Sequence, residues 1–393
     1  MRRVAVEMLE PGDRLGRDVH ANPDAPPLLR AGVRVSEGYR RSLQRAGIVA
    51  VWVDDAISAG IEPLEILEEP TRRRAAAAIH EAFRRVTLAP PGDGELPADV
   101  VEEMSEVAEL IIHDITRNVH SALALNDLAT ADGYTLKHSL AVTTLGLSLG
   151  LRVMRKYGWI DACGRRRFDD LESRLSPLGV GLLLHDIGKL AVPPEILRKP
   201  GPLTEDEWQA MRAHPMHGVR ILHKADDISP LARAVVRSHH ERWDGSGYPD
   251  GKAGADIHQF ARIAAVADVF DALTSDRCYR PAAAPRYGYD LVVGGAGQHF
   301  DPEVVEIFQS VVAPYPPATC VVLSDGSIGL VTDVRPGAVR QPVVRVIADP
   351  SGVPVPPSEI DLSRVRDITI VSVNTDRIAC ARQGDGLPRR PAA

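Results

Sequence analysis

Histidine and aspartate recur in the middle of this 393-residue chain, at places where apolar neighbours imply burial. His138 lies in the apolar run Leu140, Val142, Leu145, Leu147, and His185-Asp186 ends the run Val180-Gly181-Leu182-Leu183-Leu184. His214 and His217 follow a capped helix, and His239-His240 follow Ala234-Val235-Val236. Asp268 and Asp271 stand one helical turn apart among Ala267, Val269, Phe270 and Leu273. A lone histidine on an apolar face is ordinarily a core residue with satisfied hydrogen bonds. Five such sets in one region are harder to dismiss, because a buried ionisable group is costly unless it is paired or bound to metal. One shared metal cluster accounts for all five. Imidazole and carboxylate without thiolate suit a catalytic site for iron, manganese or a similar divalent ion better than a structural zinc site. If helical, adjacent His185 and Asp186 point about 100° apart. The histidine can then serve one ion while the carboxylate bridges to a second. Two ions roughly 3.5–4 Å apart are a common arrangement for in-line attack on a phosphodiester.

Two further features lie beside these ligands. Lys189 follows Gly188 one turn after His185 and is placed to hold a phosphate oxygen, although a single lysine at a helix end is ordinarily solvated. The loop Glu241-Arg242-Trp243-Asp244-Gly245-Ser246-Gly247-Tyr248-Pro249 directly follows the histidine pair. Its glycines allow close backbone approach to a ligand, and Tyr248 offers a face on which a base can stack.

Long helices must position these residues. Ala75–Val86 and Ala98–Leu125 carry apolar residues at helical spacing. Ser176-Pro177 reads as the start of a helix running to Ile187, Thr204–Glu207 as a capping box, and Asp301-Pro302 as another start. Residues 157–175, with Arg165-Arg166-Arg167 and Asp169-Asp170, read as a charged, solvated excursion. The expected fold is mainly α. A helical domain over 71–315 is flanked by a small mixed unit at 1–65, a β-rich unit at 316–375 and a tail at 382–393. Strands are expected at Val4–Val6, Val49–Val53, Thr319–Leu323, Gly329–Val334, Val343–Ile347 and Ile368–Val373.

Composition narrows the classes. Lys+Arg is 46 against Asp+Glu 53, a net charge of −7, which argues against coating DNA or an anionic membrane. Four dispersed cysteines without a C-x-x-C pair argue against a disulfide framework. The apolar stretch between Lys137 and Arg152 is 14 residues, short of the roughly 20 that a bilayer demands. With no signal-peptide pattern at the start, a cytoplasmic protein is expected, without membrane insertion.

Four segments then carry a family resemblance. L-L-L-H-D-I-G-K-L-A-V-P-P-E-I-L-R-K-P-G-P-L-T (182–204) resembles the HD region of HD-GYP phosphodiesterases, and S-H-H-E-R-W-D-G-S-G-Y-P-D-G (238–251) resembles their GYP motif. R-I-A-A-V-A-D-V-F-D-A-L-T-S-D-R-C-Y-R-P (262–281) and G-Q-H-F-D-P (297–302) resemble the third and closing blocks, so the likeness covers about 125–315. It implies an HD-superfamily helical core in bacterial second-messenger signalling. The implied activity is hydrolysis of cyclic di-GMP to pGpG, on to GMP, or both, by attack of a metal-bridging hydroxide on phosphorus. It implies two divalent ions, iron or manganese, on His138, His185, Asp186, His214, His239, His240 and Asp268, with His185, Asp186 and Lys189 catalytic. Substrate contacts fall on Lys189, Tyr248, Asp271, Arg277 and Arg280, with support of the ligands as a second role for Asp271. His217 and Cys278 sit at motif positions free to vary. Some members bind a third ion through a Glu one turn before the first histidine. Here that position is Tyr134, and Asp132 is displaced by two residues, so a third ion lacks its ligand. Either terminal unit could serve a homodimer or a signalling partner. Two alternatives stay open: an HD hydrolase of another cyclic dinucleotide, and a sensor that binds cyclic di-GMP without cleaving it. A second dyad, His113-Asp114, also ends an apolar run but lacks the following Gly-Lys and reads as structural.

Overall fold

The structure is a computed structural model. It describes residues 1–373 apart from 21–25, 49, 63–64, 89–95, 119–121, 124–133, 162, 200, 224, 226 and 276–282, and only the backbone of Tyr134 and Thr135. The expected tail at 382–393 lies outside the described residues. The described residues form two compact units. One draws on residues up to 64 and from 313 onward, and the other on those between 65 and 312.

The first unit begins with strand β1 (Arg2–Ala5), helix α1 (Glu37–Arg45) and strand β2 (Ala50–Val53), which pairs antiparallel to β1. Ser36 caps α1 by accepting from the Tyr39 N–H at 3.2 Å. Val4, Val6, Leu15, Leu43, Val51 and Val53 form a small core.

The second unit is helical. It contains α2 (Glu69–Leu88), α3 (Ala98–Arg117), α4 (Tyr134–Tyr157), the short antiparallel pair β3 (Trp159–Ile160) and β4 (Arg166–Arg167), and α5 (Leu171–Leu183). There follow α6 (Pro194–Leu197), α7 (Glu205–Arg212), α8 (His214–His223), α9 (Pro230–Ser238), α10 (Gln259–Thr274), α11 (Pro285–Gly294) and α12 (Pro302–Val311). Along α4, Leu140, Val142, Leu145, Leu147, Leu149, Leu151 and Val153 are all buried, the mark of a helix enclosed on every side. The expected caps of α7 and α12 form, the first as a complete capping box between Thr204 and Glu207. The basic run at and just before β4 is paired: Arg165 with Asp161, Arg166 with Glu303 and Arg167 with Asp169.

The second half of the first unit is a five-stranded antiparallel sheet. It comprises β5 (Cys320–Leu323), β6 (Ile328–Asp333), β7 (Val343–Ala348), β8 (Pro354–Asp361) and β9 (Ile370–Val373), in the order β8-β7-β6-β5-β9. Ile61 joins Cys320, Ile328, Leu330 and Ile347 in one cluster, and Arg345 donates to the Ile57 and Ala59 carbonyls at 3.2 and 2.6 Å.

Four features differ from the sequence reading. The segments at the two ends of the chain, read as separate units, share one compact unit. Helix α5 begins at Leu171, with Pro177 inside it. The stripe Leu171, Leu175, Leu178, Leu182 packs continuously with the core across the proline, which removes a single backbone donor. Helix α3 ends at Arg117, where the Asn118 side-chain amide takes the carbonyls of Asp114 and Ile66. Strand β8 was not expected; it lies at the sheet edge, where prolines are tolerated.

Helix α10, which brings Asp268 and Asp271 to the site, is capped by His258, whose Nδ1 accepts from the Phe260 N–H at 3.2 Å. Burial and the nearby Arg262 push His258 down to about 4. The unfolded chain therefore takes up a proton near pH 6.5 and the folded one only near pH 4, so this contribution to stability is complete above pH 6.5 and is lost as pH falls to 4. The expected loss is about 1–3 kcal/mol. Thermal unfolding of wild type and His258→Asn, which retains an acceptor, should show a shallower acid slope in the variant. Identical slopes would rule out this cap as a source.

Candidate metal centre

Five elements deliver the imidazoles and carboxylates to one place. His138 comes from the second turn of α4, His214 opens α8, His239 caps the end of α9, His240 follows it, and Asp268 and Asp271 lie on α10. His185 and Asp186 do not continue α5 to Ile187. Leu184 ends that helix, and the dyad occupies the turn before the 3-10 segment Ile187–Ala191. Gly188 in that segment admits α8, since a Cβ there would meet the His214 carbonyl oxygen at 1.9 Å and the Gly218 nitrogen at 2.4 Å.

The imidazoles are oriented from behind. His185 Nδ1 donates to the Leu182 carbonyl at 2.7 Å, His214 Nδ1 to Met211 at 2.8 Å, and His239 Nδ1 to Val236 at 3.0 Å. A carbonyl oxygen only accepts, so each Nδ1 carries the proton and each Nε2 presents a lone pair inward. Nε2 of His185 then faces that of His138 at 3.3 Å, and Nε2 of His214 faces that of His239 at 3.4 Å. Asp186 lies between the two pairs. Its Oδ2 is 3.5 Å from both His138 Nε2 and His185 Nε2, and its Oδ1 is 3.4 Å from His214 Nε2 and 3.9 Å from His239 Nε2. Two groups that could hold an ion result, His138–His185–Asp186 and Asp186–His214–His239–His240, with Asp186 in both. Asp268 reaches toward both, 3.1 Å from His138 Nε2 and 3.7 Å from His240 Nδ1.

Electrostatics fit a cation in each group. Burial pushes His214 and His239 down to about 4, and pushes His240 well below the usual range. Their lone pairs therefore converge without a proton between them. Asp186 Oδ1, which they face, is buried with no hydrogen-bond partner among the described residues. Burial also opposes the charge on Asp186, but Lys189, His185, His214 and His138 hold it well below the carboxylate range, and Lys189 Nζ lies 2.5 Å from Oδ2. Burial disfavours a proton on His138, yet Asp268 and Asp271 outweigh it and raise that residue to about 9. A proton there stands where a cation would bind.

Asp271, for which substrate contact and support of the ligands were both expected, lies beside His138. It is buried, its Oδ2 accepts from His138 Nδ1 at 2.7 Å, and its Oδ1 accepts from the Ser275 hydroxyl at 2.8 Å. The bond to Nδ1 fixes the orientation of the His138 ring from behind. Tyr248 stacks on His240, ring centroids 4.8 Å apart, with Arg212 over the same ring at 5.5 Å. Arg277, Arg280, Cys278 and Asp132 lie outside the described residues, as does the Tyr134 side chain. His217 stands on α8 one turn beyond His214, half-buried.

The sequence reading missed several supports. Glu241 is buried and accepts from the N–H groups of Asp250 at 2.7 Å and Lys252 at 3.1 Å, shaping the loop that carries Tyr248. Gly247 is required in that loop, because a Cβ would meet Arg242 N at 2.3 Å and His240 O at 2.6 Å. Arg262 forms a buried ion pair with Asp301 at 2.5 Å and lies over the Trp243 ring, and the Trp243 backbone N–H donates to the His299 carbonyl. The closing block thus braces the loop. An acid directly after the histidine pair was the one signal that could have exposed Glu241.

A helical core with a His-Asp dyad at the end of a buried helix, facing further histidines, defines an HD-type metal-binding phosphohydrolase. Family models agree: one described as an HD domain matches residues 156–304, and one described as a KOW domain associated with HD domain matches 320–378. A cyclic di-GMP phosphodiesterase of Pseudomonas aeruginosa is 34% identical over 340 residues, 84% of this chain and 77% of that protein. A 3'3'-cGAMP-specific phosphodiesterase of Vibrio cholerae is 32% identical over 248 residues, 63% of this chain and 46% of that protein. A solved HDG"Y"P protein of Bdellovibrio bacteriovorus aligns with 78% of this chain and 97% of its own, at a TM-score of 0.48 and 15% identity. The chain belongs to the HD-GYP family of phosphodiesterases within the HD superfamily. Among the described residues, no helix is long and apolar enough to cross a membrane.

The other dyad has a different environment. The His113 side chain is 66% exposed, while Asp114 is buried and accepts from the Glu68 N–H at 2.9 Å. Asp114→Ala should lower stability by about 1–3 kcal/mol through the stranded donor. Metal per folded chain should stay at the wild-type level in both Asp114→Ala and His113→Ala, measured by denaturant midpoint and elemental analysis. Loss of metal from a folded variant would show that the wrong dyad had been chosen.

Proposed function

We propose that this protein is a metal-dependent phosphodiesterase that hydrolyses cyclic di-GMP. The observation that carries the reading is Asp186, buried between two sets of inward-facing imidazoles with one carboxylate oxygen toward each. His138, His185 and Asp186 would hold one divalent ion, and Asp186, His214, His239 and His240 the second, with Asp268 between them. Such a pair of ions supplies Lewis acidity toward phosphoryl oxygens and an acidified water for in-line attack. Lys189, with a quarter of its side chain exposed, is the donor positioned to meet a phosphoryl oxygen once cations share the charge of Asp186. Asp271 keeps His138 in its ligating tautomer. Tyr248 lines the approach, and the family resemblance supports Arg277 and Arg280 as further substrate contacts.

The donor set favours iron or manganese. It supports two ions, because the carboxylate that a third would require is replaced by Tyr134. Phenol titrates near 10 and is a poor ligand at neutral pH. A second reading, hydrolysis of 3'3'-cGAMP, draws on the relative of that name from Vibrio cholerae.

Timed product analysis of metal-loaded protein with cyclic di-GMP and 3'3'-cGAMP tests both readings. Cyclic di-GMP should be the better substrate, with pGpG accumulating before GMP. Asp186→Asn should lower turnover at least 100-fold and release metal. Intact cyclic di-GMP after incubation with the wild type would end the enzyme reading. Elemental analysis should give two ions per chain, and three fully occupied ions would overturn the assignment at Tyr134.

A further inference from the structure

Beside the metal centre lies a row of aromatic rings and one guanidinium. Tyr248 stacks on His240, Arg212 lies over Tyr248 at 5.5 Å, and the same guanidinium lies 5.9 Å over the ring of Trp208. Arg212 and Trp208 are four residues apart on α7, hence on one helix face. Trp208 is 45% exposed, large for an indole, and Arg212 is exposed.

The neighbouring arginines divide into paired and unpaired ones, and Arg242 beside the same tyrosine is, like Arg212, without a carboxylate partner among the described residues. Arg237 forms a bidentate pair with Asp250, and Arg262 is paired with Asp301. No carboxylate is paired with Arg212 among the described residues. Contact with aromatic faces engages the flat sides of a guanidinium and leaves its N–H edge able to donate. A planar, two-pronged donor set matches the O6 and N7 acceptors of guanine. Adenine presents a donor in place of O6 and cannot accept both bonds.

We propose that Arg212, held by Trp208 and Tyr248, is a specificity-determining residue that reads a guanine base of the dinucleotide whose phosphodiester lies at the metal centre. This rests on the phosphodiesterase reading and adds the element that separates guanine from adenine substrates. The row begins at His240, so a nucleotide with its phosphate at the ions places its base along Tyr248 toward Arg212. Trp208 is a positioning residue that holds the guanidinium beside Tyr248.

The test compares cyclic di-GMP, 3'3'-cGAMP and cyclic di-AMP on wild type, Arg212→Ala, Arg212→Lys and Trp208→Ala. Both kcat/KM and the dissociation constant by calorimetry are measured. Wild type should favour two guanines over two adenines. Arg212→Ala should weaken cyclic di-GMP about ten-fold or more, chiefly in KM, while cyclic di-AMP changes little, so the ratio collapses. Arg212→Lys keeps the charge without the fork and should not restore the ratio. Trp208→Ala should erode it partly. Metal per chain and thermal midpoint should remain at wild-type values in all three variants. Equal losses on all three ligands, an unchanged ratio, or a wild type with no guanine preference would overturn the proposal. Absence of turnover in wild type defeats the phosphodiesterase reading alone, because the calorimetric ratio still decides the role of Arg212.

Discussion

Asp186 keeps its negative charge at 1% exposure, and much of the helical unit is arranged around that fact. A buried carboxylate is tolerated only with compensating charge or donors nearby. Lys189 supplies one partner, yet Oδ1 is left facing unprotonated imidazoles. The backbone carbonyls of Leu182, Met211 and Val236 hold the protons of those rings on the outer side. The interior therefore offers cations suitable partners as well as packing for the helices.

That arrangement demands accurate placement of elements distant in sequence. The site joins α4, the turn after α5, the start of α8, the end of α9 and the middle of α10. Close approach at Gly188 sets the distance between the dyad and His214, and Asp271 ties α10 to His138 across 133 residues of chain. Arg262 and Asp301 then connect the same helix to the start of α12, beside the loop that carries Tyr248. A helix that slid by one turn would break the metal groups, the carboxylate–imidazole bond and this brace together.

The candidate metal group and the loop after it share one boundary. His240 belongs to a metal group on one side and stacks with Tyr248 on the other. Glu241, next in sequence, fixes the loop through backbone N–H groups. The loop that carries Tyr248 is thus tied closely to the histidines of the candidate metal group.

By itself, the sequence determined the chemistry of the site. Buried positions occupied by histidine and aspartate, without thiolates, limit the partner to a hard or borderline cation, and the glycines after His240 mark a close backbone approach. It also determined α2, the start of α3 and the caps of α7 and α12, because apolar periodicity and capping are local properties that survive into the fold. Tertiary structure decided what depends on neighbours from elsewhere in the chain. Pro177 stays inside α5 because Leu171 and Leu175 find a core, and β8 tolerates its prolines because it lies at an edge. His185 and Asp186 diverge in a turn instead of along a helix, since the 3-10 segment after them packs on α8. Asp271 became the support of His138, and Arg212 came to lie against Tyr248, through contacts made only when separate helices pack. Residue type sets what a group can donate, accept or ligate, and packing chooses which partner it meets.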